Sequence, residues 1–228
     1  GGDHNMQISP IIISMKTASA AIVLTFMLGI FVARWVVEMK SERAKMVLDG
    51  IFTLPLVLPP TVMGFLLLIV LGVNRPVGKF LLQFLGIKIV FSWTATVIAA
   101  VVISFPLMYR SARSAFEQVD PNLIMAAKTL GLSDNRIFWT ITMPLALPGV
   151  AGGGILAFAR GLGEFGATAM IAGNIANETR TLPLAIYSEV AAGNMQTASS
   201  YVIIVLLISF IVVALTNYFS MKERKYLK

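Results

Sequence analysis

The chain has 228 residues, no cysteine and a single histidine, and it is 57% hydrophobic but only 13% charged, against about 25% charged in a typical soluble domain. Its charges are unevenly spread: no Asp, Glu, Lys or Arg occurs in 17–33, 50–74, 89–109, 137–159 or 190–221, and about 20 apolar residues suffice for a helix to cross the hydrocarbon core. That pattern excludes an ordinary soluble enzyme, a nucleic-acid-binding domain and a disordered chain, and leaves a polytopic α-helical membrane protein. The net charge of +7 fits cytoplasmic loops and headgroup contacts rather than an acidic macromolecular partner.

Residues 1–5 (GGDHN) precede Met6 and read as a cloning remnant, so 6–228 is expected to form one transmembrane domain. The first apolar segment runs from about Ile11 to Val37, with Lys16 and Arg34 near its ends, where long side chains reach the interface. The second runs from about Leu48 to Val73 and contains LPLVLPP at 54–60. Pro55, Pro59 and Pro60 remove backbone donors at membrane depth, which is tolerated where neighbouring helices or a water-lined cavity satisfy the freed carbonyls. Residues 72–80 (GVNRPVGKF) have five residues between glycines and a phenylalanine after the lysine. They therefore fail the phosphate-loop pattern and are expected to form an outer loop.

The third segment runs from about Ile89 to Tyr109, with Pro106 near its end. The stretch 120–144, DPNLIMAAKTLGLSDNRIFWTITMP, is long for a loop. Asp120 before Pro121 signals a helix start and Gly131 a stop, so a short helix is predicted over Asn122–Leu130, with Ile124, Ala127 and Leu130 on one face. Its small-residue surface at Ala126–Ala127 suits insertion into a groove of another protein, the alternative being a helix lying on the membrane surface.

The fourth segment runs from about Pro144 to Gly163. Arg160 and Glu164 are four apart and share a helix face. They form either a structural pair or a contact on a pathway, since ionisable groups at membrane depth are usually functional. Gly149, Gly152, Gly153, Gly154, Gly161, Gly163 and Gly166 permit close helix packing, and Gly161–Gly166 is a candidate hinge. Residues 165–177 are too short to span and suit a re-entrant or continuing helix. Residues 181–192 suit a short interfacial helix, and the fifth span covers about Thr197–Met221. Thr53, Thr61, Ser92, Thr94 and Thr96 either line a pathway, bond back to their own helices or join one helix to another. Twelve of the 18 Lys and Arg fall in 34–49, 110–143 and 222–228, which with five spans puts the N-terminus outside and the C-terminus in the cytoplasm.

The spacing Met125-Ala126-Ala127, Gly131, Ile141-Thr142-Met143-Pro144 resembles the coupling motif of ABC importer permeases. Met125 stands where the family has glutamate and Met143 where it has leucine; methionine keeps a shape contact but forms no ion pair. LPLVLPPTVMGFLLL (54–68), FSW (91–93), SFPLMYR (104–110), LAFARGLGEFGAT (156–168) and NETRTLPLAIY (177–187) are further similar to molybdate ABC transporter permeases. The resemblance implies an all-α membrane protein of the type I importer permease kind, with five core transmembrane helices, a possible sixth short or re-entrant segment, and a cytoplasmic coupling helix at about 121–131. It implies a second copy of the chain, two cytoplasmic ATPase subunits that carry ATP and magnesium, and an extracytoplasmic molybdate-binding protein. Met125, Ala126, Ala127, Gly131, Ile141 and Pro144 are then the coupling residues. Pro59, Pro60, Arg160, Gly161, Gly163, Glu164 and Gly166 are the gate or pathway candidates. No catalytic, cofactor-binding or metal-ligating residue is assigned on this chain. Sulfate and tungstate remain alternative cargoes. An integral membrane enzyme is the alternative from another class, and it needs paired carboxylates, histidine or cysteine at membrane depth.

Overall fold

The computed structural model describes residues 7–226, with side chains to Tyr218; residues 1–5 lie outside that range. Eleven helices follow in order among the described residues: α1 Ser9–Glu38, α2 Glu42–Val57, α3 Pro60–Leu71, α4 Pro76–Leu85, α5 Trp93–Glu117, α6 Pro121–Thr129, α7 Asp134–Ile137, α8 Met143–Leu162, α9 Gly166–Ile171, α10 Leu182–Ala191 and α11 Met195–Tyr226. One turn of π-helix, Phe138–Thr142, joins α7 to α8. Helices α1 and α5, the run from α7 through α8, and α11 are each long and apolar enough to cross a membrane.

The expected second span is not straight. Helices α2 and α3 meet at 112° across Leu58–Pro59, because Pro59 ends one helix and Pro60 opens the next at a position that needs no amide donor. Taken as one broken span the pair makes a fifth; taken as a re-entrant loop it leaves four among the described residues. The third span begins at Trp93 rather than Ile89 and continues to Glu117, so Pro106 lies inside α5. The expected outer loop at 72–80 is partly helical: α4 starts at Pro76, and Gly78 packs under the carbonyls of Leu71 and Gly72. Residues 165–177 yield only the short α9.

Helix α5 is the centre of the bundle, packed against α1, α8, α2 and α9. Three contacts fix it to α1 in one register. Thr17 and Thr96 hydroxyls lie 3.0 Å apart, Thr25 and Ser104 3.2 Å apart, and a Cβ at Gly29 would come within 2.5 Å of Met108 Cγ. The two helices thus run parallel, with α2–α3 returning between them. Thr96 also donates to the Trp93 carbonyl and Ser104 to that of Ala100, so the α1 hydroxyls are the donors across the interface. Trp93 Nε1 donates to Thr17 Oγ1, and Lys16 sits 4.2 Å above the Trp93 ring, a cation–π contact.

Helix α8 runs antiparallel to α5. Gly153 faces Ser111 and Gly161 faces Ala100 and Ser104, so small residues set the closeness of this pair. The apolar core between α1, α5 and α8 gathers Ile30, Val36, Met108, Phe116, Phe138 and Val150. Helix α2 buries no residue fully, and is held by polar contacts together with half-buried Leu48 and Phe52 packed on the core. Arg113 Nη1 lies 2.6 Å from Asp49 Oδ1 and its Nε 2.9 Å from Glu117, while the Tyr109 hydroxyl donates to Asp49 at 3.1 Å. Phe52 stands edge-on to Phe105 and Tyr109. At the far end, Leu182 N–H donates to Ser14 Oγ at 2.7 Å and the Tyr201 hydroxyl brackets the Gln7 backbone, tying α10 and the start of α11 to the start of α1.

Not every glycine packs. A Cβ at Gly64 would lie 2.8 Å from Ala167 Cα and 3.0 Å from its carbonyl oxygen, whereas at Gly152 it would meet nothing within 4 Å. Close packing at Gly152 is therefore not found among the described residues. Gly64→Ala is expected to push α3 off α9 and cost about 1–3 kcal/mol, as overpacking does. Gly152→Ala is expected to leave stability unchanged or raise it by up to about 1 kcal/mol through helix propensity. Melting temperatures of the two purified variants check the contrast.

Candidate functional site

The motif at 125–144 folds as a protruding unit at the end of the bundle where α1 and α5 terminate. Asp120 caps α6 by accepting from Asn122 N–H at 2.9 Å. Beyond α6, Gly131 takes φ +78°, its N–H donates to Lys128 O, and Leu132 N–H reaches back to Ala127 O at 3.2 Å. This is the six-to-one closure that needs a left-handed residue, hence glycine. Ser133 then caps α7 through Arg136 N–H, and Lys128 pairs with Asp134 at 2.9 Å. Both ion-pair partners are more than half exposed, so the pair steadies the α6–α7 turn only weakly.

The two motif alanines face opposite ways. Ala127 is buried and Ile124 packs on the core beneath it, while Ala126, Leu123 and Met125 face solvent. Leu130 does not share the buried face: it lies past the helix end and is 81% exposed. The outer surface of α6 is therefore apolar, uncovered and low in relief at Ala126. Ile141 sits half-buried in the π turn and Pro144 is exposed at the start of α8.

A contact set that the sequence did not suggest anchors this unit. Arg34, near the end of α1, donates from Nη1 to Asn135 Oδ1 at 2.9 Å and pairs with Glu38 at 2.7 Å. Its guanidinium also lies 4.3 Å above the Phe138 ring. Phe138 in turn stands edge-on to Phe116 of α5. Arg34 is thus more than an interfacial charge: it clamps α7 and the π turn to α1. Apart from Glu38 one turn on, its partners Asn135 and Phe138 lie about a hundred residues away, and no local motif connects them.

The gate candidates come together where two helices break. Helices α3 and α9 lie side by side: a Cβ at Gly166 would lie 3.0 Å from Pro60 Cβ and 3.2 Å from Thr61, and Gly64 meets Ala167 and Met170 one turn further on. The α2–α3 bend at Pro59 and the α8–α9 break at Gly163–Phe165 therefore face each other. Glu164 spans the second break. It is 2% exposed, accepts from Ala167 N–H at 2.7 Å through Oε1, and pairs with Arg160 Nη1 at 2.9 Å through Oε2. One carboxylate so caps α9 and holds the last turn of α8. Gly161 packs on α5, and Gly163 meets only its own helix, at Ala159 O. Of the pathway hydroxyls, Thr53 bonds back to Asp49 O in its own helix, Ser92 bonds to Ile89 O in the turn before α5, and Thr96 bonds to Trp93 O while also joining α5 to Thr17 of α1.

The chain matches the family described as binding-protein-dependent transport system inner membrane component over residues 25–225. It is 42% identical over 223 residues to the molybdenum transport system permease protein of Haemophilus influenzae, covering 97% of each chain. It is 48% identical over 178 residues to the protein of the same description in Escherichia coli K12, covering 78% of this chain and 77% of that one. Among solved structures it is similar to a bacterial ABC transporter involved in the import of the polysaccharide alginate, with TM-score 0.73, 15% identity, and coverage of 99% of this chain and 82% of that one. At that identity the likeness is one of fold. With four helices long and apolar enough to cross a membrane among the described residues, and a bent apolar pair beside them, the chain is a multi-pass inner-membrane protein, and it belongs to the family of binding-protein-dependent transport system inner membrane components.

Proposed function

We propose that this chain is the membrane-spanning subunit of an ATP-driven importer of molybdate, acting as a single transmembrane domain over residues 6–228. The observation that carries the reading is the geometry of α6, an exposed apolar face around Ala126 on a helix whose opposite face, at Ala127 and Ile124, is seated on the chain's own core. Such a helix transmits force in both directions. The relatives named for molybdenum transport supply the cargo, with sulfate and tungstate as the other tetrahedral dianions to test.

In this reading two copies of the chain pair in the membrane. Each receives one cytoplasmic ATPase subunit on Met125, Ala126, Ala127, Gly131, Ile141 and Pro144, and a binding protein delivers the oxyanion from the opposite side. ATP and magnesium bind the ATPase pair, and this chain makes and breaks no covalent bond. Closure of the ATPases moves α6, and the Arg34 clamp carries the movement into α1 and α8. The facing breaks at Pro59–Pro60 and Gly161–Gly166 then yield, so that access alternates between the two sides. The charge distribution supports the end bearing α6 as cytoplasmic, with the N-terminus outside.

The test is ATP hydrolysis by the assembled complex in lipid, with binding protein loaded with molybdate, tungstate or sulfate in turn. Molybdate-loaded protein is expected to stimulate. Stimulation by sulfate alone would change the cargo, and no response to any would sink the importer reading. Ala126→Trp is expected to keep the melting temperature and lose stimulation about tenfold or more, as loss of a central docking contact does. Ala127→Trp is expected instead to destabilise the chain itself by about 1–3 kcal/mol. Equal effects of the two would refute the division of faces.

At the gate, Glu164→Ala uncaps α9 and leaves Arg160 unpaired. The expected cost is about 1–3 kcal/mol, held down because the guanidinium keeps about a third of its exposure and so some water. Glu164→Gln, which keeps an acceptor for Ala167 N–H, is expected to recover part of that loss in a thermal melt.

A further inference from the structure

The end of the bundle opposite α6 carries a cleft of about 460 Å³ that the transport reading leaves unused. Its walls are Phe65, Leu68 and Ile69 of α3 on one side and Phe91 on the other, and Arg75 and Lys88 stand at its mouth. Both cations are exposed, and neither forms an ion pair among the described residues. No acidic residue lines the cleft, and none occurs in the sequence between Asp49 and Glu117. The chain thus supplies two positive charges here and no counter-charge.

The backbone holds this shape. A Cβ at Gly72 would lie 3.3 Å from Arg75 Cγ, so the arginine stem folds back over the end of α3 because that glycine is bare. Phe91 takes φ +57°, a conformation that a bulky residue rarely adopts unless its surroundings hold it there. Its N–H donates to Ile171 O at 2.9 Å, and its ring lies against Gly173, where a Cβ would come within 3.1 Å.

We propose that this cleft binds one anionic phospholipid, with the phosphate at Arg75 and Lys88 and an acyl chain along Phe65, Leu68 and Ile69. The charge-free run 50–74 ends immediately before Arg75, so both cations lie at headgroup level when α3 is in hydrocarbon. A free oxyanion gains nothing from the apolar wall, and two exposed, flexible cations hold a small hydrated ion weakly. A phospholipid matches both halves of the cleft and is already concentrated in the membrane.

The test is lipid retention by the assembled transporter, purified from bilayers with equal phosphatidylglycerol and phosphatidylcholine and read by native mass spectrometry. Wild type is expected to keep phosphatidylglycerol selectively. The double variant Arg75→Gln, Lys88→Gln is expected to lose that preference, by about fivefold for each cation removed. Lys79→Gln removes the same charge from exposed α4 outside the cleft and is expected to retain it. Added inorganic phosphate or molybdate is expected to displace nothing. Equal retention of the two lipids by wild type would overturn the proposal. So would an equal loss in Lys79→Gln, which means diffuse surface charge, or displacement by free phosphate, which means an oxyanion site. Retention by the single chain but not by the paired one would assign the cleft to a second copy instead. The wild-type comparison and the displacement arm hold even where a variant fails to assemble.

Discussion

The parallel pairing of α1 with α5 is the constraint on which the rest of this fold hangs. Lipid gives apolar side chains no reason to prefer one another over acyl chains, so register within a membrane must come from close packing and hydrogen bonds. Here both are used along one line: two hydroxyl pairs, Thr17–Thr96 and Thr25–Ser104, and one bare approach, Gly29 against Met108. A slip of one residue would break all three together. Because α1 and α5 run the same way, the chain between them must return, and the bent α2–α3 pair is that return.

The same pair also decides where the exposed unit at 120–144 sits. Helices α1 and α5 end side by side, and each supplies one contact to Phe138: Arg34 over its ring and Phe116 against its edge. Helix α6 is fixed from below by Ile124 and Ala127 rather than by its own hydrogen bonds alone, since a helix this short is unstable in isolation. What it presents outward is therefore held by the bundle's core, and a displacement of α6 cannot stay local.

Much of this was legible in the sequence, for reasons that differ by element. The spans showed themselves as charge-free runs because a charge in hydrocarbon is costly whatever the fold. Asp120, Pro121 and Gly131 marked the ends of α6 because capping is local chemistry. The Arg160–Glu164 pair followed from helical spacing, but its second role, capping α9 through Ala167, needed the break at Gly163 to be known. What stayed hidden depends on distant residues or on angles. Asp49 meets Arg113 and Arg34 meets Asn135 across spans that no local pattern connects. Pro55, Pro59 and Pro60 marked lost backbone donors at membrane depth, but not a bend of 112°. Ala126 and Ala127 looked like one small-residue patch, and only the direction of packing separates them.

The π turn at Phe138–Thr142 has a consequence for how such a chain tolerates change in length. Met143 N–H donates to Phe138 O, five residues back, so this turn holds one residue more than an α-helix would accommodate. Each residue of an α-helix advances the chain by about 100° around its axis, and the surplus residue acts as an angular shim between α7 and α8. With it, the Arg34 clamp and the Gly153–Ser111 contact are satisfied at once, although they lie on helical stretches of different phase. The distance from Gly131 to Pro144 is therefore a setting of azimuth as much as of length. Losing any single residue within the turn would swing α6 to a new compass bearing, although the span from α7 through α8 that contains the turn would still be long enough to cross the bilayer.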